Sequence, residues 1–375
     1  MARTIIIGGG VVGATAAYYL SRQGHQVTLF DEGKGQATSA SAGIICPWFS
    51  LRRNKPWYYL VSNGAEFYRK LVVDLQEDGF DTHHIFKEIG TVFIRRNQKR
   101  VDQDLQMAQD KMTESPSIKV VKALTPEEIS QYAPFIESDF PGFYVKGGAR
   151  VDGQWLIQAL HQAVKDSGGR IISEKAHLGQ DAKGELCVKS ANHKMTADHY
   201  LLAVGPHLPQ LLKPLHYEVD IHPQKGQLYT VSLPETINDK TWPVIMPFGV
   251  GDIIPMNNGT VTIGATHEDD GGFDLSVDWG ALSALKEEAI TWMPSLKDFP
   301  VKTTRVGTRA HTSDYSVLVG EVPGMDNVTA ISGLGSSGLT SGPFLGFQYA
   351  QKILTGQWDI NPEHYLIENY IQSTK

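Results

Sequence analysis

Cysteine is nearly absent from this chain of 375 residues, with only Cys46 and Cys187 present. Two thiols cannot staple a disulfide scaffold, and their spacing matches no zinc pattern, so a reducing, cytoplasmic home is expected. No apolar run reaches the ~18 residues of a membrane span, and no signal-peptide pattern precedes the first strand-like run. The sequons at Asn258 and Asn327 then read as chance matches. A positive surplus is missing too: 34 Lys and Arg against 41 Asp and Glu give a formal net charge of -7. That argues against a nucleic-acid surface. The one basic run, Arg95 to Arg100, is soon followed by Asp102 and Asp104 and reads as a solvated loop or helix start. The 13 histidines form no metal constellation. His83-His84 reads as a surface turn, and His267 to Gly271 lacks the alternate acids of a calcium loop, so no metal is expected.

What is present begins with TIIIGGGVVGATAAYYL, residues 4–20. Thr4 to Ile7 is the β-branched run of a parallel strand buried on both faces. Val11 to Gln23 reads as a helix closed by Gly24, and Gln26 to Phe30 as a second strand ending at Asp31. This is a βαβ unit whose turn carries Gly8, Gly10 and Gly13 as G-x-G-x-x-G. Gly8 permits the tight turn, Gly10 the approach of a pyrophosphate, and Gly13 close packing of helix on strand. The helix start offers N–H groups and partial positive charge to the anion. Asp31 lies where it can accept from a ribose hydroxyl. Either NAD or FAD fits; the bland alternative is a tight turn with an incidental acid.

Downstream, helices are expected near 57–78, 98–113, 125–131 and 278–293, with a strand over Gly90 to Arg96. An amphipathic helix spans Gly153 to Asp166, with Trp155, Leu156, Ala159, Leu160 and Val164 on one face. Arg170 to Ser173 and His199 to Val204 read as further strands of the first sheet. Residues 217–265 alternate in a way that predicts an antiparallel sheet. The tail reads strand, strand, glycine-rich loop, helix. A length of 375 residues exceeds one hydrophobic core, so two domains are expected.

Five stretches, in order, resemble the D-amino-acid oxidase and glycine oxidase superfamily of FAD enzymes, from Thr4 to about Leu354. The first is the opening βαβ unit. In ATSASAGIICP, Thr38, Ser39, Ala42 and Gly43 match the loop that wraps the FAD pyrophosphate and reaches the flavin. In ADHYLLAVGPHLPQLL, Ala203, Val204 and Gly205 match a strand end beside the cofactor. In IHPQKGQLYTV and DIIPMNNGTVTIGATHED, Pro223, Gly226, Gln227, Pro255, Gly259 and Gly264-Ala265-Thr266 match the substrate sheet. VGTRAHTSDYSVLVG and ISGLGSSGLTSGP resemble the Gly-x-Arg pattern and the final flavin loop.

The resemblance implies an α/β fold in which a Rossmann-like FAD-binding domain (1–84, 149–215 and 305–375) interleaves with an antiparallel-sheet substrate domain (85–148 and 216–304). It implies FAD contacts from Gly8, Gly10, Val12, Gly13, Asp31, Glu32, Thr38, Ser39, Ala42, Gly43, Ile44, Ala176, Ala203 and Gly205. In the last loop it implies contacts from Gly335, Ser336, Ser337, Gly338, Leu339 and Thr340. Arg309 would bind the carboxylate of a small amino-acid substrate, its planar fork matching two oxygens, unless it pairs with an Asp such as Asp314. Trp48, Asp252 and Ser336 are further candidates at the substrate. Asp252 or Ile253 stands where glycine oxidases often carry Tyr; an Asp pointing inward suits an amino group, and one pointing outward is a turn residue, the reading favoured here. Glu32 replaces a common Arg or Lys, Leu334 a common His, and Ala310 a common Pro. No Cys lies in the C-terminal half, so the FAD is expected to be non-covalent; Cys46 reads as a small apolar filler.

The implied activity is oxidative deamination of a D-amino acid or glycine-like substrate to a 2-oxo acid by hydride transfer to flavin N5. Alternatives are an N-methyl or cyclic amino-acid dehydrogenase (sarcosine, proline, hydroxyproline), a 2-hydroxy-acid enzyme, a non-catalytic flavin relay subunit, and a flavin-free NAD module. Oxygen, a quinone or a partner flavoprotein would accept the electrons. No nucleic acid and no transmembrane segment are expected.

Overall fold

The computed structural model describes residues 2–50, 52–234, 242–249, 251–256 and 259–374; Asn258 lies outside them. Fourteen strands build two large sheets. They are β1 (Arg3–Ile7), β2 (Gln26–Phe30), β3 (Thr91–Ile94), β4 (Val120–Leu124), β5 (Gly142–Lys146), β6 (Arg170–Ile172) and β7 (His199–Leu202), followed by β8 (His222–Ser232), β9 (Val244–Met246), β10 (Asp252–Pro255), β11 (Thr260–Gly264), β12 (Val301–His311), β13 (Leu318–Val322) and β14 (Met325–Ser332). The helices are α1 (Val11–Arg22), α2 (Lys55–Glu77), α3 (Gln98–Glu114), α4 (Pro126–Tyr132), α5 (Gly153–Asp166), α6 (Leu208–Leu212), α7 (Trp279–Ile290) and α8 (Gly338–Thr355).

The first sheet has six strands in the order β13-β14-β7-β1-β2-β6, parallel except for the β13–β14 hairpin. Both faces of β1 are buried: Ile6 packs into the core beneath α1, α5 and α8, and Ile5 and Ile7 into the core on the other side. That two-sided burial is why its sequence is a continuous apolar run rather than an alternation. Helix α1 ends as expected at Gly24, whose φ of 72° stops it.

The second sheet has eight strands in the order β12-β8-β11-β10-β9-β3-β5-β4. It is mixed, not purely antiparallel: β9 runs parallel to β3, with Met246 beside Phe93. These strands lie far apart in sequence, so no local turn dictates their relative direction. Strand β12 runs to His311 and pairs along β8, so a boundary after residue 304 would cut it. A small three-stranded sheet (Ile44–Ile45, Phe86–Lys87, Ala149–Val151) joins the two large ones.

Two helical expectations need correction. Trp155 is 52% exposed, and Ala159 is only partly buried. The buried face of α5 instead carries Leu156, Ile157, Leu160, Ala163 and Val164. Helix α8 begins at Gly338, inside the expected glycine-rich loop, because its glycines serve packing. A Cβ on Gly346 would lie 2.4 Å from the Val12 carbonyl, and one on Gly342 would lie 2.5 Å from a Val11 methyl. The helix can therefore lie directly against α1.

Candidate active site

A cavity of about 1100 Å³ lies between the C-terminal ends of the parallel strands and one face of the eight-stranded sheet. Strand ends β1, β2, β6, β7 and β14 all open on it, which is where ligands bind in open α/β sheets. At this size it can hold a ligand larger than most drug-sized molecules.

The first wall is the glycine turn. Gly8 has φ 101°, and a Cβ there would sit 2.3 Å from the Ala203 carbonyl. A Cβ on Gly13 would lie 1.9 Å from the Gly8 carbonyl. Gly13 is therefore the packing glycine beneath the turn and is not on the cavity wall. Gly10 differs: a Cβ there would meet only Thr38 Oγ1, at 3.5 Å. The space beside it is the cavity. Gly10 is the N-cap of α1 and offers no side-chain acceptor to the first turn. The Val11 N–H donates to Thr38 Oγ1 at 3.1 Å, tying the Ser/Thr-rich loop to the helix start. Asp31 lines the cavity, accepts from the Gly33 N–H at 3.1 Å and from the Gln36 amide, and burial pushes its carboxyl up from the usual range.

The second wall is the start of α8. The turn Gly335–Ser337 leads into it, with no side chain capping the first N–H groups. Ser337 Oγ accepts from Trp57 Nε1 at 3.0 Å and donates to the Leu334 carbonyl at 2.7 Å, so the turn is held rigidly. Two helix N-termini, those of α1 and α8, therefore face one cavity. That arrangement suits a ligand with an anionic diphosphate at one place and an electron-rich ring edge at another. The residues present fit FAD.

The third wall is the face of the eight-stranded sheet. Gly226, Gly264 and Gly307 lie on it and leave it flat. Arg309 lies across β8: a Cβ on Gly226 would come within 2.7 Å of its guanidinium. Arg309 Nη1 donates to Gln224 Oε1 at 3.1 Å and to the Thr266 carbonyl at 3.0 Å. Gln224 is oriented in turn by Asp269, to which its amide donates at 2.6 Å. Both acceptors of Arg309 are neutral, and burial lowers its pKa, partly offset by Glu268. Asp314 is engaged with Thr312, Ser316 and Tyr370 instead.

Of the expected residues, Gly8, Gly10, Val12, Asp31, Glu32, Thr38, Ala42, Gly43, Ile44, Ala176, Ala203, Gly205, Gly335 to Thr340, Asp252 and Arg309 line this one cavity. Ser39 does not; its hydroxyl donates to Gln36 Oε1 at 3.0 Å. Trp48 is 1% exposed in the core and caps nothing. Asp252 is no outward turn residue: it opens β10 and faces the cavity. Cys46 also reaches the cavity, with burial pushing its thiol up to about 12, so it stays a neutral filler. The basic run is the exposed start of α3, as expected, with Asn97 as its N-cap, but Arg95, Arg96, Asn97 and Arg100 also line the cavity. Arg95 and Arg100 share the fully buried Asp104 at 2.6 and 2.7 Å, and Arg96 lies 4.6 Å over the Phe248 ring. Residue alternation from Phe93 to Arg95 was the available signal. His161 was also missed; its Nε2 lies 3.0 Å from the Gly9 carbonyl.

A glycine-turn βαβ unit joined to a sheet bearing a half-buried arginine fits a flavin-dependent oxidoreductase. The chain belongs to the DAO family of FAD dependent oxidoreductases, whose model matches residues 3–352. FAD is its cofactor. It is 33% identical over 363 residues to the uncharacterized oxidoreductase YurR of Bacillus subtilis (strain 168), covering 96% of this chain and 97% of that one. The glycine oxidase of the same organism is 24% identical over 348 residues, 91% of this chain and 90% of that one. The crystal structure of iminodiacetate oxidase (IdaA) from Chelativorans sp. BNC1 superposes with a TM-score of 0.91 at 30% identity, covering 97% of this chain and 98% of that one. Among the described residues, no helix is long and apolar enough to cross a membrane.

Proposed function

We propose that this oxidoreductase oxidises a small amino acid, a D-amino acid or glycine-like amine, to a 2-oxo acid, with the FAD held non-covalently. The observation that carries this reading is Arg309: a half-buried guanidinium on the cavity wall whose hydrogen bonds, among the described residues, go to neutral acceptors. A partly desolvated cation that no carboxylate hydrogen-bonds is costly, even with Glu268 nearby, and a substrate carboxylate would supply two matched oxygens. The glycine oxidase and iminodiacetate oxidase relatives support the same class, since both named substrates are amines bearing carboxylates.

FAD, when bound, supplies the hydride acceptor for this chemistry. The protein's share is orientation. Asp269 holds Gln224, Gln224 and the Thr266 carbonyl hold Arg309, and Arg309 would fix the substrate's carboxylate end. The glycines of the sheet face leave room for a substrate against the sheet.

The test is Arg309→Ala, assayed by rapid-mixing reduction of the flavin over a range of substrate concentrations. The expected result is normal flavin content with half-saturation raised ~30-fold or more, since a charged contact left unpaired costs about 2–5 kcal/mol. Unchanged saturation would remove Arg309 from this role.

A second reading is favoured by one observation. Arg95, Arg96 and Arg100 stand on the same cavity wall with, among the described residues, Asp104 as their one ion-pair partner. That excess of positive charge would suit a substrate with a second acidic group, as iminodiacetate has.

A further inference from the structure

We propose that Asp252 receives the substrate's ammonium group, so that this cavity selects amines over the matching 2-hydroxy acids. The inference rests on the Arg309 reading above.

Asp252 opens β10 on the cavity side, in register with Gly264 of β11. Gly264 has no side chain, so the neighbouring strand leaves the carboxyl uncovered on that side. Two residues beyond Gly264, the Thr266 carbonyl holds Arg309. Asp252 and the Arg309 guanidinium therefore stand on one wall of the same cavity, on either side of β11. An α-amino acid carries its carboxylate oxygens and its nitrogen on adjacent carbons, so with a hydrogen bond of ~2.8 Å at each end it bridges groups about 8 Å apart. A molecule gripped by Arg309 at one end can therefore set its nitrogen toward Asp252.

The charged groups around Asp252 come from several elements. Glu288 approaches from α7, close behind Gly249, where a Cβ would lie 2.0 Å from Glu288 Oε1. Arg309 comes from β12, His267 follows β11, and Arg95, Arg96 and Arg100 stand beyond β3. Burial first, and the like charge of Glu288 second, raise Asp252 to about 8. At neutral pH the unliganded carboxyl is therefore largely protonated. An arriving ammonium ion favours the carboxylate, so the bound amine displaces about one proton to solvent at pH 7. A hydroxyl makes no such demand.

The same pair then prepares the amine for oxidation. An N–H bond of the ammonium breaks, an O–H bond forms on Asp252, and the lone pair remains on nitrogen. That lone pair becomes the second bond of the imine as the α-hydrogen leaves with its electron pair for the FAD. No other oxidant or base is required.

The test uses two acids without an α-hydrogen, 2-aminoisobutyric and 2-hydroxyisobutyric acid, which the holoenzyme can bind but not oxidise. Calorimetric titration at pH 7 in two buffers of different ionisation enthalpy reads affinity and proton release together. The wild type is expected to bind the amino acid about tenfold or more tightly than the hydroxy acid and to release about one proton with it alone. Asp252→Asn is expected to bring the two affinities to within about twofold, abolish the release and keep the hydroxy-acid affinity. Equal wild-type affinities, or a preference and proton release that persist in Asp252→Asn, would overturn the proposal while leaving the Arg309 reading standing. Failure of the wild type to bind either acid would bring down both.

Discussion

Replacing Asp252 by Asn should stabilise the protein in alkaline solution and leave it unchanged in acid. The carboxyl stays protonated to about pH 8 in the folded state, first through burial and then through Glu288. In the unfolded chain it ionises near its ordinary value of about 4. Between those values the folded state holds a proton that the unfolded state has lost. Stability therefore falls as pH climbs through this window and stays lowered above it. At ~1.4 kcal/mol per pH unit, the full effect would be about 5–6 kcal/mol. The residue is only half-buried and faces a cavity, so screening reduces this to about 2–3 kcal/mol. An amide of the same shape does not ionise and escapes the penalty. The gap in Tm between variant and wild type, measured by thermal unfolding without added substrate, should be smallest near pH 4. It should reach about 3–6 °C by pH 9. A gap independent of pH, or one that widens toward acid, would refute the reasoning.

The glycines separate cofactor from fold. Gly10→Val should fold with a near-normal Tm yet purify without the visible flavin band, because its side chain enters the cavity. Gly13→Ala should give poorly folded protein, since its Cβ would meet the Gly8 carbonyl at 1.9 Å; soluble yield and Tm check both. Gly226→Ala should displace the Arg309 guanidinium, raising KM about tenfold at normal flavin content. Arg96→Gln should raise KM about two- to fivefold for a diacidic amine and leave glycine unaffected, as suits an exposed charge at the mouth.

Much of this fold is legible in the chain because it rests on local signals. The β1–α1–β2 unit, Asp31 at the end of β2, and the limits of α5 all follow from periodicity, glycine and caps. What escaped depends on partners distant in sequence. The helical wheel of α5 put Trp155 inside, but only the position of α1 decides which side is covered, and that side holds Ile157 and Ala163. Gly342 resembled a loop residue because its reason is the neighbouring helix α1. The run from Arg95 reads as a solvated helix start beside nearby acids, and the exposed residues 96–99 and the start of α3 agree, but its reach to the cavity was not visible. One of those acids, Asp104, is in fact buried between Arg95 and Arg100, and the strand alternation from Phe93 carries Arg95 to the cavity. Asp252 could be placed at a strand start but not oriented, since β10 receives its cavity side from the register with β11. Arg309 was found through a family pattern; the neutral partners that make it a carboxylate seat appear only when β8 and β11 are laid beside it.

The central claim is that an FAD-bearing cavity with Arg309 on its wall oxidises small amines that carry a carboxylate. It is tested most directly by an anaerobic visible spectrum of the purified holoenzyme, titrated with D-amino acids, glycine, sarcosine, proline, iminodiacetate and 2-hydroxy acids. The account predicts that the flavin band bleaches with one or more of the amines and not with the hydroxy acids. A flavin band that no amine bleaches, or one that a hydroxy acid bleaches in their place, would contradict it.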